Sequence, residues 1–315
     1  MKAAYIDTFG SAHNIQIGNL PKPEPKSDEI LVKTIATTVN NVDTFVRAGK
    51  YPIQAHLPFV LGRDLVGEVV TNETTDPTFE PGDLVWSNSM GYEDRQGTTS
   101  EYVNVPKDRL FPLPTNVDPY QAVSALHATT TAVLLLTDLV HTTSGESILI
   151  QGGGGNVGQK LIETSKILDL KVTTTSAPTD FSKLTNLGAQ CLDYTEPIYQ
   201  GAFSYLIDTS GKNSLKDNIP LLKNNGKLLL ITAPVATEFD AWEFYTKGKQ
   251  ILGFVLSQAT KKQLKTAGHF INRQFEKGYY LNDSISKVPF TQVKKIHKKI
   301  DQQIQQQQRP VLVFS

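Results

Sequence analysis

The sequence predicts an α/β protein in which a β-rich N-terminal domain precedes a doubly wound parallel sheet. Up to about residue 115, runs of apolar and β-branched residues alternate with proline and glycine, as in the strand predicted over 29–39. From about residue 118, helical patterns alternate with short apolar strands. Because that alternation produces parallel strands covered by helices on both faces, the second domain is predicted to be doubly wound.

The first domain is predicted from its short, regularly interrupted strands. Beyond the strand over 29–39, strands are predicted at 64–71, 84–87 and 101–105. Proline and glycine separate them, as in Glu80-Pro81-Gly82-Asp83, and this spacing is typical of a small barrel or sandwich. The first domain is therefore predicted to cover residues 1–121.

The second domain is predicted to span residues 122–261 and to begin with a helix. That helix runs through 122–139, a strand-helix-strand unit follows, and further strands are predicted at 203–208, 227–232 and 251–256. Two helices and a strand are then predicted at 261–277, 292–307 and 310–314. Residues 262–315 are expected to return to the first domain and complete it.

The composition argues against several kinds of partner. Thirty-one basic residues balance thirty-one acidic ones, so neither nucleic acid nor an anionic membrane is expected as a partner. Asp7 stands where a secretory signal would have its apolar region, and no uninterrupted apolar run approaches the roughly 18 residues of a membrane span. A soluble, cytoplasmic protein is expected. The single cysteine, Cys191, excludes an intramolecular disulfide and is expected to be a buried core thiol.

Residues 151–159 read QGGGGNVGQ, and their flanks decide between a flexible linker and a binding loop. An apolar strand precedes them, and helical spacing begins at Val157. Gly153, Gly155 and Gly158 match the spacing G-x-G-x-x-G at a strand-to-helix turn, the context that a dinucleotide-binding loop requires. Glycine there lets a pyrophosphate approach bare backbone amides beside the positive end of the helix dipole. A purely structural tight turn is the alternative.

The same region predicts which nucleotide binds. Gly152 and Val157 are predicted to line the loop together with the three glycines of the motif. An enzyme that uses NAD usually places an acid about 20 residues past the first glycine, where it binds the ribose hydroxyls. Thr175 and Ser176 stand there instead, and hydroxyl groups accept a 2′-phosphate that a carboxylate would repel. NADPH is therefore the predicted cofactor, with NADH not excluded.

The segment VNNVDTFVRAGKYP, residues 39–52, strongly resembles the start of the active site in zinc-independent, zeta-crystallin-like quinone oxidoreductases of the medium-chain dehydrogenase/reductase superfamily. Further blocks match in the family's order, at 61–69, 81–85, 100–103 and 152–158, so that the resemblance covers essentially the whole chain. It implies a GroES-like first domain, a Rossmann second domain and an active site in the cleft between them. It also implies a homodimer through the sheet edge near 251–256.

The resemblance also implies further cofactor contacts. Thr131 resembles a residue that contacts the phosphates or ribose of the cofactor, and Tyr194 resembles a tyrosine that lies against the adenosine phosphate. Family members that prefer NADPH often carry a lysine where this chain has Asp180. Lys183, one helical turn further along, is expected to compensate for that missing lysine.

The residues that ligate zinc in related alcohol dehydrogenases are replaced in this chain. Their Gly-His-Glu block corresponds to Gly62-Arg63-Asp64, and Asn40 stands about where their cysteine ligand would be. Since arginine cannot ligate zinc and asparagine does so poorly, no zinc is predicted. Asn40, Tyr51 and Arg63 are then predicted to donate hydrogen bonds to the substrate oxygen. The alternatives are a helix cap for Asn40, an aromatic lid for Tyr51 and an ion pair between Arg63 and Asp64.

These residues together predict an NADPH-dependent, metal-independent reductase of quinones or α,β-unsaturated carbonyls, which are small molecules that accept a hydride from the nicotinamide. A medium-chain alcohol or aldehyde reductase is the alternative among enzymes. The alternative outside enzymes is an NADPH-binding sensor or structural protein with little turnover. Rapid oxidation of NADPH on addition of a quinone or an enone separates the reductase from this last alternative.

Overall fold

The computed structural model describes residues 1–51, 53, 56–72, 77–304 and 306–314. The chain divides into two compact units, one comprising Met1–His127 with Thr260–Ser315 and the other comprising Ala128–Ala259. The sequence predicted divisions after residues 121 and 261, and those of the compact units follow His127 and Ala259. The predicted α/β class is confirmed, because one unit is rich in antiparallel strands and the other contains a parallel sheet.

The strands are given in chain order for the described residues. They are β1 (Lys2–Ile6), β2 (Gln16–Asn19), β3 (Glu29–Thr38), β4 (Phe59–Val60), β5 (Leu65–Asn72), β6 (Leu84–Ser87), β7 (Tyr102–Pro106), β8 (Phe111–Pro112), β9 (Ser147–Gln151), β10 (Lys171–Thr175), β11 (Ala189–Leu192), β12 (Phe203–Asp208), β13 (Leu222–Leu230), β14 (Gln250–Gly253), β15 (Ile285–Pro289) and β16 (Arg309–Val313). The predicted strands all have counterparts among them, with ends shifted by a few residues.

The α-helices of the described residues are fewer and mostly short. They are α1 (Asn41–Arg47), α2 (Pro119–Val133), α3 (Asn156–Ile167), α4 (Phe181–Asn186), α5 (Leu215–Asn218), α6 (Ala241–Thr246), α7 (Lys261–Phe275) and α8 (Val293–Asp301). A π-helical turn over Leu134–Leu139 continues α2. The whole segment Pro119–Leu139 is long and apolar enough to cross a membrane by length and composition alone, but most of it is buried inside the protein, as in a core helix.

Two sheets form the described part of the first unit. The larger has the order β15-β16-β3-β5-β6-β8, with β7 also paired to β3, and the smaller has the order β2-β1-β4. Val311 of β16 lies opposite Thr38 of β3 in an antiparallel pair. The end of the chain therefore joins the first unit, as the sequence predicted. Helix α7 begins at a capping box formed by Thr260 and Gln263 and buries Leu264 among its apolar residues.

The predicted helix over 292–307 is too long at its C-terminal end. Helix α8 stops at Asp301, Gln303 adopts a left-handed φ of 54°, and the N–H of Ile304 donates to the carbonyl of Lys299. This pattern of backbone hydrogen bonds closes a helix, and it accepts glutamine although glycine is more usual there. The run of glutamines carried helical propensity but no stop signal, and residue 305 lies outside the described residues.

In Ala128–Ala259, all of whose residues are described, six parallel strands form one sheet in the order β11-β10-β9-β12-β13-β14. The order reverses its direction of growth between β9 and β12, which is where nucleotides bind in doubly wound sheets. Helix α3 follows β9 after the glycine loop, and its apolar residues, with those of β9, fill the core. Cys191 lies on β11 and is only partly buried against that core, contrary to the fully buried position expected.

Candidate functional site

Helix α1 positions a buried carboxyl group at its first turn. Asn40 is the N-cap residue, and its backbone N–H donates to Oδ2 of Asp43 at 2.7 Å. A carboxylate at this place is favoured by the positive end of the helix dipole. The side chain of Asn40 points elsewhere, because its Nδ2 donates to Oδ2 of Asp64 at 2.8 Å and its Oδ1 accepts from Nη2 of Arg309 at 2.9 Å. Asn40 therefore joins two carboxyl groups and one guanidinium group.

Arg63 brings a second guanidinium group into the same region and is 1% exposed. Its Nε lies 4.0 Å from Oδ1 of Asp43. Its Cζ lies 5.7 Å from the ring centroid of Tyr51 and 5.4 Å from that of Tyr92. Among the described residues, neither Nε nor Nη2 of Arg63 has a hydrogen-bond acceptor. The buried charge thus rests on one longer-range ion pair and two aromatic rings, with two nitrogen atoms able to donate.

Asp64 is fully buried beside Arg63 in sequence but is held by other groups. Its Oδ2 accepts from Asn40 and, at 3.1 Å, from Oγ1 of Thr38. Its Oδ1 lies 3.9 Å from Nδ1 of His127. The ion pair between Arg63 and Asp64, considered from the sequence, is replaced by one between Arg63 and Asp43. We call Asn40, Asp43, Arg63, Asp64 and Arg309 the buried charge cluster.

Burial changes the proton affinity of this cluster. It raises the pKa of Asp43 to about 6, although Arg63 and the hydrogen bonds of Asn40 oppose the rise. It raises the pKa of Asp64 to about 7 against the hydrogen bond from Asn40. Burial, with the positive charges of Arg63 and Arg309, lowers the pKa of His127 to about 3. At neutral pH His127 is therefore neutral, while Asp64 titrates in the physiological range.

The structure brings the three predicted catalytic residues into one region of the first unit. Asn40 and Arg63 share Asp43, and the ring of Tyr51 lies beside the Arg63 guanidinium and packs edge to face on Tyr92, with 5.9 Å between ring centroids. Pro52, which ends the segment that resembles the quinone oxidoreductases, lies outside the described residues.

Sequence reasoning did not place Arg309 in the site, and it did not predict that Asp43 and Tyr92 lie beside Arg63. Arg309 is 269 positions from Asn40, so no local pattern links the two. Tyr92 lies in a loop, between strands β6 and β7, that has no repeating pattern to read. Asp43 follows Asn40 at capping-box spacing, the one signal that could have identified it.

The described residues contain no group of three or more histidine, cysteine, aspartate or glutamate side chains that could hold a metal ion. A guanidinium group occupies the position predicted from the histidine ligand of the zinc enzymes, and it repels a cation.

The glycine loop of the second unit follows β9. Gly152 has a φ of 82°, a conformation that glycine adopts without strain. The N–H groups of Gly152 and Gly153 donate to the carbonyl of Thr175, at 3.1 and 3.0 Å, which fixes the loop against the end of β10. Gly155 is then the N-cap of α3. The first N–H groups of this helix have no intrahelical acceptor, so they are available to an anion.

The glycines of the loop differ in how closely other atoms approach them. A Cβ atom on Gly158 would collide with the carbonyl oxygen of Gly152 and lie 2.7 Å from Cα of Gly153, so glycine is needed for the close approach of helix and loop. A Cβ atom on Gly155 would meet only that carbonyl oxygen, at 3.4 Å. The loop is therefore closely packed at Gly158 and open at Gly155, where α3 starts. This arrangement leaves room for a diphosphate.

The other predicted cofactor residues lie in different settings within the second unit. Thr175 and Ser176 are buried, and their hydroxyl groups already take part in hydrogen bonds, with the N–H of Gly152 and the carbonyl of Ala177 respectively. Thr131 is buried on α2. Lys183 is exposed on α4, and Tyr194 is 64% exposed after β11. These positions do not test the predicted contacts.

Comparison with known proteins gives consistent results. Residues 26–115 match the family described as the alcohol dehydrogenase GroES-like domain. The mouse quinone oxidoreductase is 24% identical over 314 residues, covering 95% of this chain and 94% of that protein. An Arabidopsis thaliana protein named NADPH-dependent alkenal/one oxidoreductase, chloroplastic, is 30% identical over 247 residues, covering 75% and 63%.

Solved structures show the same fold. A quinone oxidoreductase from Pseudomonas syringae pv. Tomato DC3000 superposes with a TM-score of 0.87 at 20% identity, covering 99% of each chain. A mycobacterial protein complexed with NADPH superposes with a TM-score of 0.81 at 22% identity, covering 100% of each chain.

The GroES-like unit, the parallel sheet with its glycine loop and the full-length relatives define an oxidoreductase of the medium-chain dehydrogenase/reductase superfamily. Within that superfamily the chain belongs to the quinone oxidoreductase branch. The family that the sequence resembled is thereby confirmed, and the chain is a reductase similar to the quinone and alkenal oxidoreductases.

Proposed function

We propose that the protein is an NADPH-dependent reductase that delivers a hydride to quinones or α,β-unsaturated carbonyls without the help of a metal ion. The single observation that carries the proposal is the buried Arg63, whose Nε and Nη2 have no acceptor among the described residues. A full-length relative is named for quinones, a second is named for alkenals and enones, and a structural neighbour was solved with NADPH. The proposal also includes a cytoplasmic homodimer that associates through the edge strand β14.

The glycine loop is the proposed anchor of the nucleotide. Gly152, Gly153, Gly155, Val157 and Gly158 would hold its diphosphate at the start of α3. The further proposed contacts to the nucleotide are Thr131, Thr175, Ser176, Lys183 and Tyr194. When bound, the nucleotide supplies a hydride to the substrate.

The buried charge cluster is proposed to stabilise the substrate oxygen. As a hydride reaches a quinone or an enone, negative charge collects on that oxygen, and a fixed donor in a dry site stabilises it by about 3 kcal/mol. Arg63 is the proposed main donor, because Asp43 and the two tyrosine rings hold its guanidinium in place. Tyr51 and Asn40 are the proposed second and third donors. Asp64, with a pKa of about 7, can keep a proton nearby at neutral pH.

The test is oxidation of NADPH, followed by absorbance, with a panel of quinones, enones, aldehydes and alcohols, in the presence and absence of a chelator. Turnover of quinones or enones that the chelator does not affect is expected. Arg63→Met should lower kcat about 100-fold while NADPH binds as before, and Arg63→Lys should lower it less. Tyr51→Phe should slow turnover without weakening NADPH binding. Arg273→Met is the matched control, since Arg273 is exposed on α7.

Each contrary outcome identifies a different error. Wild-type turnover in Arg63→Met would remove the guanidinium from the reaction, provided that circular dichroism shows the fold unchanged. Loss of activity with the chelator would contradict the metal-independent chemistry. Reduction of aldehydes but not of enones would favour an alcohol or aldehyde reductase. Binding of NADPH without oxidation by any substrate would favour a sensor or structural protein.

A further inference from the structure

The glycine loop contains one glycine, Gly154, that the G-x-G-x-x-G spacing leaves open. A Cβ atom on Gly154 would collide with Oδ2 of Asp180 and lie 3.1 Å from its Cγ. Asp180 ends a 3-10 turn, Pro178–Asp180, and its N–H donates to the carbonyl of Ala177 at 2.9 Å. This turn brings the chain back from β10 to the loop. A side chain at Gly154 would therefore have to displace the Asp180 carboxylate.

The Asp180 carboxylate has no charged or hydrogen-bonding partner among the described residues. It receives no hydrogen bond and forms no ion pair with any described residue, and Lys183, expected to supply a positive charge here, is exposed on α4 without an ion pair to Asp180. Asp180 itself is half-buried, so a bound molecule can reach it. An acceptor with unused lone pairs therefore lies against the loop proposed to hold the diphosphate.

We infer that Asp180 limits the preference for NADPH, because its carboxylate accepts hydrogen bonds from the ribose hydroxyls of NADH and repels the 2′-phosphate of NADPH. In sites of this kind the diphosphate lies on the glycine loop, and the ribose lies next to the end of the second strand, here β10. The acid that usually ends that strand is replaced by Thr175, and the 3-10 turn supplies a carboxylate from further along the chain. NADH consequently competes with NADPH in this protein. The inference rests on the proposed function, since it concerns the same nucleotide site.

The two hydroxyl groups thought to favour NADPH do not oppose this inference. Those of Thr175 and Ser176 are buried and engaged in hydrogen bonds within the chain. The described surroundings of the loop therefore offer the 2′ position a carboxylate, while the predicted cation, Lys183, is exposed on α4, the helix whose N-cap is Asp180. Salt screens the electrostatic repulsion between a carboxylate and a phosphate. The inference therefore also predicts how NADPH binding depends on salt concentration.

The test measures dissociation constants of NADH and NADPH for the purified full-length protein, by quenching of tryptophan fluorescence, without any substrate. Asp180→Asn should bind NADPH about tenfold more tightly than the wild type, and Asp180→Lys more tightly still. Both variants should bind NADH less tightly than the wild type does. In the wild type, added salt should weaken NADPH binding less than it does in Asp180→Asn. Glu238→Gln, an equal change of charge at an exposed loop residue of the same unit, should leave both constants unchanged.

Gly154→Ala provides an independent route to the same carboxylate. The added methyl group displaces the Asp180 side chain, so this variant should also shift preference toward NADPH. Combined with Asp180→Asn, it should add little, because the two changes act through one group. An unchanged ratio of the two dissociation constants in Asp180→Asn, in a wild type that binds nucleotide, would overturn the inference alone. Failure of the wild type to bind either nucleotide would overturn the proposed function and the inference with it.

Discussion

Replacing Asp64 with asparagine tests how the protein handles its buried carboxyl groups. Oδ2 of Asp64 accepts hydrogen bonds from Asn40 and Thr38, and asparagine retains an oxygen that can accept both. The variant therefore keeps the shape and the hydrogen bonds of the protonated acid. What it removes is the ability to ionise in a place where the side chain is fully buried.

The size and the sign of the effect follow from the pKa of Asp64. Burial raises it from 3.8 to about 7, which corresponds to about 4 kcal/mol over the whole titration at 1.36 kcal/mol per unit. Because the folded state binds the proton more tightly than the unfolded state, this contribution is complete below pH 4 and is lost as pH rises through 7. Between pH 5 and pH 8, the wild type should lose about 3 kcal/mol of stability relative to Asp64→Asn. The lowered pKa of His127 acts in the opposite direction, and its causes, which are burial and the charges of Arg63 and Arg309, are present in both proteins.

The assay is urea unfolding at several values between pH 5 and pH 8, followed by tryptophan fluorescence. Trp86 is buried in the first unit and reports on the unit that contains Asp64, whereas Trp242 is 70% exposed in the second unit. Trp242→Phe is therefore introduced into both proteins. Asp94→Asn, at an exposed residue of the same unit, should track the wild type at every pH. A stability difference between wild type and Asp64→Asn that stays constant with pH would refute the reasoning.

Two further variants test the loop and the core. Gly158→Ala should weaken NADPH and NADH binding more than tenfold, because its methyl group collides with the backbone at Gly152 and Gly153, whereas Gly253→Ala, which has nothing within 4 Å, should bind as the wild type does. Equal affinities in the two variants would show that the loop does not hold the nucleotide. Asn272→Ala should lower the free energy of unfolding by about 2 kcal/mol, because it leaves the indole N–H of buried Trp86 and the carbonyl of Pro112 without their partner. Urea unfolding measures this, Lys265→Ala on the exposed face of α7 is the control, and stability equal to that of the control would contradict the prediction.

The sequence predicted the parts of the fold that depend on short-range order. The strand before the glycines, the helix after them and the strand at 171–175 each show their own period, and a glycine turn that joins them has few alternatives. The predicted end of α8 was wrong. Backbone hydrogen bonds at Gln303 and Ile304 end this helix, and neither residue type is a usual signal for a helix terminus.

The candidate site was predictable only where a local motif marked it. Asn40 and Arg63 were identified from motifs that resemble those of the family. The contacts of Arg63 with Asp43 and of Asn40 with Arg309 depend on how elements distant in the sequence pack together. The position of Asp180 shows the same limit. Its sequence position suggested a lost lysine, whereas its contact with Gly154 comes from a 3-10 turn that reverses the chain. The candidate site depends on contacts between residues that are far apart in the sequence, and no local pattern in a single sequence shows them.

The energetics of Arg63 support the proposal that the buried charge cluster serves chemistry rather than folding. Taking a guanidinium group out of water costs several kcal/mol, and burial lowers its pKa accordingly. A structural ion pair would recover this through short hydrogen bonds, as Arg47 does with two bonds to Asp301 at 2.9 and 3.1 Å. Arg63 instead meets Asp43 at 4.0 Å and has two nitrogen atoms without an acceptor among the described residues. Helix α1 does not require it, because Asp43 is already bonded to the Asn40 N–H. A buried guanidinium without an acceptor for these two nitrogen atoms among the described residues supports the proposal that Arg63 donates to the substrate oxygen.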